Sequence, residues 1–349
     1  MGFEREPSTG GQDQYERDPL LCCIYPGREN RDLINRGLRG QAGVALMLVL
    51  WVMVLLTAIS AEFVLSMRTE VNITRNFKEE TRAYYAALAG IEEAKAEILS
   101  ASGLVYIDED GLLVLGEEVP VREGTFGNVR YSYTIIDEER KINLNSATPQ
   151  QLRNILSESG VEDAELDTIV DSILDWRDAD DLHRLNGAEE EYYRSLPKPY
   201  SCKDGPFDTV DELLMVKGMT AEIFFGAEDG LKYKGVAGYL TAKSSGMINI
   251  NTAGMPVLEA GFGPAVAENI LMQRSAGPLL VPEAGGMVDS SYFTVISTGR
   301  SGKINRTIKA IVRKRDGNAV ETLYWNDNRQ GENRQKDIWT QINAETADL

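Results

Sequence analysis

The chain has 349 residues, with 54 acidic against 36 basic side chains, a formal net charge of −18 and 43% hydrophobic residues. Such acidity argues against nucleic acid or an anionic membrane surface as the principal partner, and the apolar content supports a folded head rather than disorder. One histidine, His183, and three cysteines leave zinc sites and Cys-His or Ser-His catalytic sets almost nothing to work with.

Residues 1–35 mix charges with glycine and few apolar positions, the composition of a flexible segment without a core. From Val44 to Ala61 the chain then runs 18 residues without a charge, the length of one helical bilayer crossing. Arg28, Arg31, Arg36 and Arg39 place positive charge before it, as in a single-pass anchor with a cytoplasmic N-terminus. An ordinary signal anchor has the same features. Gly43 stands directly before the apolar run and no small-residue cleavage site follows it, so a peptidase cutting between Gly43 and Val44 would leave the helix on the mature chain.

Between Val44 and Leu99 there is no proline and one glycine, Gly90, so helix can continue beyond the bilayer. Tyr84, Leu88, Ile91, Ala94 and Ile98 form an apolar stripe at three- and four-residue steps, which predicts a stalk packed on a head. Short apolar runs at 104–107, 112–115 and 119–121 read as strands, and Val129, Tyr131, Tyr133 and Ile135 alternate with polar residues as the clearest strand.

INLNSATPQQL at 142–152 offers Ser146 or Thr148 as the cap of a helix starting near Pro149, and INTAGMPVL repeats the idea about 107 residues later. The second copy continues into GFGPAVAENILMQR, which resembles a helix-hairpin-helix. A Gly261-Phe262-Gly263 turn could offer amides to a phosphate, yet neither Lys nor Arg occurs between Lys243 and Arg274, so a compact helix pair is the simpler reading. Ala164–Trp176 and Val210–Val216 read as further helices. Tyr292–Thr298 and Asn305–Val312 read as strands around a turn at residues 299–302, and Asp316-Gly317 opens a hairpin into Val320–Trp325.

Asp175, Asp178, Asp180, Asp181, Glu189, Glu190 and Glu191 crowd into 175–191, with Asn186 and Gly187 among them. Hard cations such as calcium take six to eight oxygens from clusters of this kind, although a solvated acidic face has the same composition. EF-hand spacing fails, because Leu182 occupies the third ligand position.

GVALMLVLWVMVLLTAI followed by TRNFKEETRAYYAALAGIEEA, then SILDWRDADD, NGAEEEYY and VDELLMVKGMT, resembles the minor pseudopilin K family of type II secretion, within the type IV pilin class. The resemblance covers about residues 39–325 and implies an α+β pilin-like fold with a long N-terminal helix, an antiparallel sheet and a large inserted helical domain. The expected boundaries are a leader at 1–43, a transmembrane helix at 44–64, a stalk at 65–100 and strands at 101–145. They continue with an inserted helical domain at 146–245, the second hairpin at 246–285, strands at 286–325 and a polar tail.

By resemblance, prepilin peptidase cuts between Gly43 and Val44, and the head stands in the periplasm above the inner membrane. The partners implied are the minor pseudopilins I and J, the major pseudopilin indirectly, and no nucleic acid. The resemblance also implies a structural Ca2+ ion in the helical domain, with Asp175, Asp178, Asp180, Asp181, Asn186, Glu189 and Glu190 as its candidate ligands. Leu182-His183-Arg184-Leu185 departs from the acidic and proline residues common in the family there. Leu48 is the fifth residue after the cut, where most of the class carry glutamate, which suits a non-enzymatic subunit at the tip of a pseudopilus. The alternatives are a minor pilin of a surface type IV pilus and a membrane-anchored helix-hairpin-helix protein of DNA uptake.

Overall fold

The computed structural model describes residues 34–101, 103–108, 111–116, 121–227, 232–315 and 319–327. Residues 1–33 of the expected leader, the 119–120 part of one predicted strand, the 316–317 turn and most of the polar tail lie outside them, while 34–43 of that leader are helical. The chain divides into two units, through Val71 and from Asn72. Helix α1, Ile34–Ser100, is one continuous element, which the absence of proline permits. In the first unit, α1 is long and apolar enough to cross a membrane, and its side chains from Val44 to Leu65 are exposed.

In the second unit, the end of α1 lies on an antiparallel sheet of β3 (Glu123–Phe126), β4 (Val129–Asp137), β7 (Tyr292–Ser301), β8 (Ile304–Arg315) and β9 (Ala319–Asn326), in that spatial order. A separate hairpin, β1 (Val105–Ile107) and β2 (Leu113–Leu115), borders it. Ala83, Ala87, Ile91, Ala94 and Ile98 of α1 are fully buried, the last four in one core with Tyr133, Ile135, Phe293, Val295 and Ile308. The alanines and glycines of this face let backbone approach backbone: a Cβ on Gly299 would overlap the Ala83 carbonyl oxygen, and one on Gly90 would overlap Ser297.

That approach corrects the predicted turn at 299–302. Gly299 is glycine because α1 crosses over it, so β7 runs on to Ser301 and the chain reverses at Gly302-Lys303. Val121, expected in a strand, is exposed coil, and the strand falls at β3, where a turn at Gly127-Asn128 lets it pair with β4.

Strands β4 and β7 are neighbours, with Asp137 opposite Phe293, although residues 138–291 lie between them in sequence. This insertion holds a short parallel pair, β5 (Ile142–Asn143) and β6 (Leu240–Thr241). Its helices are α2 (Pro149–Glu158), α3 (Asp163–Arg177), α4 (Glu190–Arg194), α5 (Ala221–Phe225), α6 (Met255–Phe262) and α7 (Pro264–Arg274). Thr148 caps α2 in a capping box with Gln151, with Pro149 in the first turn. Val210–Met215 is a 3-10 turn rather than the predicted α-helix, set by a capping box of Thr209 and Glu212.

The insertion does not end near 245. Leu144, Leu156, Ile169, Phe224, Leu258 and Ile270 belong to one buried core, so both hairpins form a single body. The repeat seen in sequence is structural. The Oδ1 atoms of Asn143 and Asn249 accept the amides two residues on, while the side chains of Asn145 and Asn251 span the backbone N–H and C=O of Phe207 and Leu279. Arg177 and Arg274, each ending its helix, donate back to carbonyls, Leu144 and Ala147 in one copy and Ala253 in the other.

Candidate functional site

Where β4 ends, three consecutive buried acids fasten the insertion to the sheet. Asp137 accepts from Thr252 Oγ1 at 2.6 Å and Asn249 Nδ2 at 3.1 Å. Glu138 pairs with Lys141 at 2.7 Å and accepts from Thr241 and Thr294. Glu139 accepts the amide of Ser291 at 2.8 Å. Burial pushes the Asp137 carboxyl up to about 6 against these bonds. A cleft of 720 Å3 beside this junction is lined by Glu138, Lys141, Thr241, Thr294 and Tyr324 among others, and it contains no histidine or cysteine.

The acidic loop follows α3. Helical spacing puts Asp171, Asp175 and Asp178 along one side of that helix, and the loop folds back over them. Arg184 Nη1 bridges Asp175 at 2.5 Å and Asp178 at 2.7 Å, while the Arg184 amide donates to Asp175 at 3.1 Å. Asp175 is fully buried, and Gly187 packs so closely on its carboxylate that a Cβ there would overlap it. Asn186 donates twice to Asp171, at 3.1 and 3.2 Å. Lys217 Nζ donates to the carbonyls of Asn186 and Gly187, at 3.2 and 2.9 Å, beside the ring of Tyr192. The chain's own cations thus neutralise much of the cluster.

The seven predicted ligands therefore do not converge on one point. Asp175 and Asp178 are brought together, but around Arg184. Asn186 faces Asp171. Asp180, exposed, caps the Leu182 amide, and Asp181 is exposed beside it. Glu190 accepts from Arg194 at 2.6 Å and from the Cys202 amide at 2.7 Å.

Glu189 is different: it is 5% exposed, and among the described residues no N–H or O–H group donates to either carboxylate oxygen, the Cys202 thiol being its polar neighbour. Burial, and then the charge of Asp175, push it up to about 7. Its ligand atom lies within 4.8 Å of those of Cys202 and Asp204, neither of which the sequence marked out. Burial and the neighbouring Asp204 push the Cys202 thiol up to about 12. Asp204 has a left-handed backbone, φ 50°, a conformation uncommon outside glycine that a functional loop can retain.

Five of the six buried side-chain atoms left without a partner among the described residues sit on this helix and loop: Ser172 Oγ, Trp176 Nε1, Asp178 Oδ1 and both oxygens of Glu189. Native interiors rarely leave such groups unmet, because each costs about 1–3 kcal/mol. Three of the five are carboxylate oxygens, the donor type a hard cation requires. The site fits a divalent cation, drawn in toward Glu189 rather than spread along the acidic run.

The family model for type II secretion system protein K matches residues 134–226, which include the buried acids and the whole acidic loop. The type II secretion system protein K of Pseudomonas aeruginosa is 27% identical over 255 residues, covering 68% of this chain and 73% of that protein. That of Aeromonas hydrophila is 26% identical over 239 residues, covering 61% and 68%. An Escherichia coli homologue is 27% identical over 203 residues, and the alignment spans 53% of this chain and 60% of that protein.

The fold is similar to a crystal structure of the GspK-GspI-GspJ complex from the enterotoxigenic Escherichia coli type II secretion system. The TM-score is 0.54 at 20% identity, covering 76% of this chain and 99% of the other. Sequence motifs, insertion and relatives agree, and the surface-pilus and DNA-uptake alternatives are not favoured. Residues 134–226 match the type II secretion system protein K family, and over most of its length the chain is similar to the minor pseudopilins K of that system.

Proposed function

We propose that this pseudopilin is a non-catalytic subunit at the tip of the pseudopilus, assembled with the minor pseudopilins I and J. It is anchored once in the bacterial inner membrane, with a cytoplasmic N-terminus, a periplasmic head and prepilin-peptidase processing between Gly43 and Val44. The observation that carries this is the insertion of residues 138–291 between adjacent strands β4 and β7. A pilin-type sheet does not need so large a body to pack in a shaft, and the body adds bulk where the next head would stack.

The apolar helix supports the same reading. In the pilin class the fifth mature residue is usually a glutamate that offsets the free amine of the subunit ahead, and a lone acid in lipid is costly. This chain has Leu48 there, so it has nothing to give a subunit above it, while the amine of Val44 can still receive an acid from below. Such a subunit starts a fibre more readily than it extends one.

The acidic loop serves as a structural cation site, with Glu189, Asp178 and Asp204 as the oxygen donors. Calcium is the ion an oxygen-only set would take; it offsets the repulsion among these acids and fixes the loop beside Arg184. The assembly reading is tested by co-expressing the full chain with the I and J minor pseudopilins of its own system and extracting the membranes in mild detergent. The expected result is a three-subunit complex in which this chain begins at Val44. An unprocessed chain that elutes alone would contradict it.

A further inference from the structure

In a chain with a formal net charge of −18, residues 300–315 hold seven Lys and Arg side chains and no acid. They span the end of β7 and all of β8. Several of these cations are engaged: Arg306 pairs with Glu80, Arg315 with Glu321 at 2.6 Å, and Arg313 lies over the Tyr292 ring at 5.2 Å. Lys314 donates to the Ala101 carbonyl. Arg300 and Lys303 are exposed and, like the exposed Arg130 of β4, have no side-chain hydrogen bond or ion pair among the described residues.

Strand register brings these cations together. Arg130 stands directly opposite Arg300 across β4 and β7, and Lys303 lies in the turn that follows. Alternation sends Tyr133 and Val295 to the α1 side and turns Arg130 and Arg300 to the other. Like charges directly opposite on a sheet are destabilising. Glu123 of β3, two residues from Arg130's partner Thr125, is exposed and makes no ion pair with it. Along the same face, the hydroxyls of Thr298 and Thr307 bond each other at 2.9 Å, and Ile296 and Ile311 then line the 720 Å3 cleft. Ile296 is four positions from Arg300, about 13 Å at the rise of a strand.

We infer that the sheet face turned away from α1 docks an extended acidic segment of a partner protein. Arg130, Arg300 and Lys303 receive its carboxylates, and the cleft receives an apolar side chain about four residues further along. Two guanidinium forks about 5 Å apart bracket one carboxylate and offer it paired hydrogen bonds, which also relieves their own repulsion. A narrow peptide fits the charge balance better than a lipid surface or a duplex. Those broad polyanions would also meet the rest of an acidic chain, and three cations do not offset that. A segment in contact with the patch is screened from acids beyond about 8 Å at physiological ionic strength.

The test uses the detergent-solubilised full chain and a short fluorescent peptide carrying adjacent glutamates and a leucine about four residues beyond them, with its glutamine counterpart as control. The expected result is binding of the glutamate peptide alone, weakened by salt. Arg130→Ser combined with Arg300→Ser should weaken it at least about tenfold, while Lys198→Ser, at an exposed cation of the insertion, should leave it unchanged. The double variant without peptide should melt no lower than the parent, because it removes a repulsion; this separates lost binding from lost folding. No binding of the glutamate peptide at millimolar concentration, equal binding of the glutamine peptide, or binding that survives the double substitution would overturn the proposal. Displacement of the peptide by soluble short-chain phosphatidylglycerol at a lower concentration than by unlabelled peptide would make the patch a lipid site and overturn it as well.

Discussion

Asp137 is 1% exposed at the exit of β4, and burial lifts its carboxyl from 3.8 to about 6. The folded state therefore holds this proton more tightly than the unfolded chain. Its contribution is complete below pH 4 and is lost as the pH rises through 6. A separation of this size is worth on the order of 3 kcal/mol. Asp137→Asn should remain as it is with pH, so its stability relative to the parent should rise by about that amount between pH 4 and 7. Urea unfolding of the full chain in detergent at several pH values measures the difference, and a difference that stays flat would contradict the assignment. At this scale the sequence is informative about kinds of residue and much less about pairing. The acids from Asp175 to Glu191 stand out by density alone, but that Arg184 neutralises two of them depends on the loop folding back over α3. Cys202 and Asp204 join Glu189 through tertiary packing, and no spacing rule points to them.

Elements were more legible where local chemistry decides them. The stripe on α1, the cap at Thr148 and the strand at β4 follow from periodicity and capping that need no tertiary knowledge. Gly299 reads as a turn residue because glycine usually marks turns; the structure uses it for the close passage of α1 over β7. Gly299→Ala should therefore destabilise the protein by about 1–3 kcal/mol through overpacking. Gly238 offers a matched control, since a Cβ there meets nothing within 4 Å. Gly238→Ala should leave the unfolding midpoint nearly unchanged. Equal losses at the two positions would show that the α1–β7 approach is not what Gly299 serves.

At the scale of the whole molecule, the α+β class and the presence of a large insertion were legible through the family resemblance of the motifs, with which the order of strand-like and helical segments agrees. Its extent was not. The INLNSATPQQL and INTAGMPVL copies look like separate units in sequence, and only their shared core shows that residues 138–291 act as one body between β4 and β7. That body and the missing acid at Leu48 both favour the end of a fibre over its shaft, and they can be separated. Labelling the heads of this chain in purified pseudopili and locating them by electron microscopy tests the central claim most directly. About one label per fibre, always at one end, is the expected pattern. Leu48→Glu should leave it there, because the insertion still blocks stacking. Labels at regular intervals along unmodified fibres would contradict the tip assignment, and redistribution by Leu48→Glu alone would show that the acid rather than the insertion sets the position.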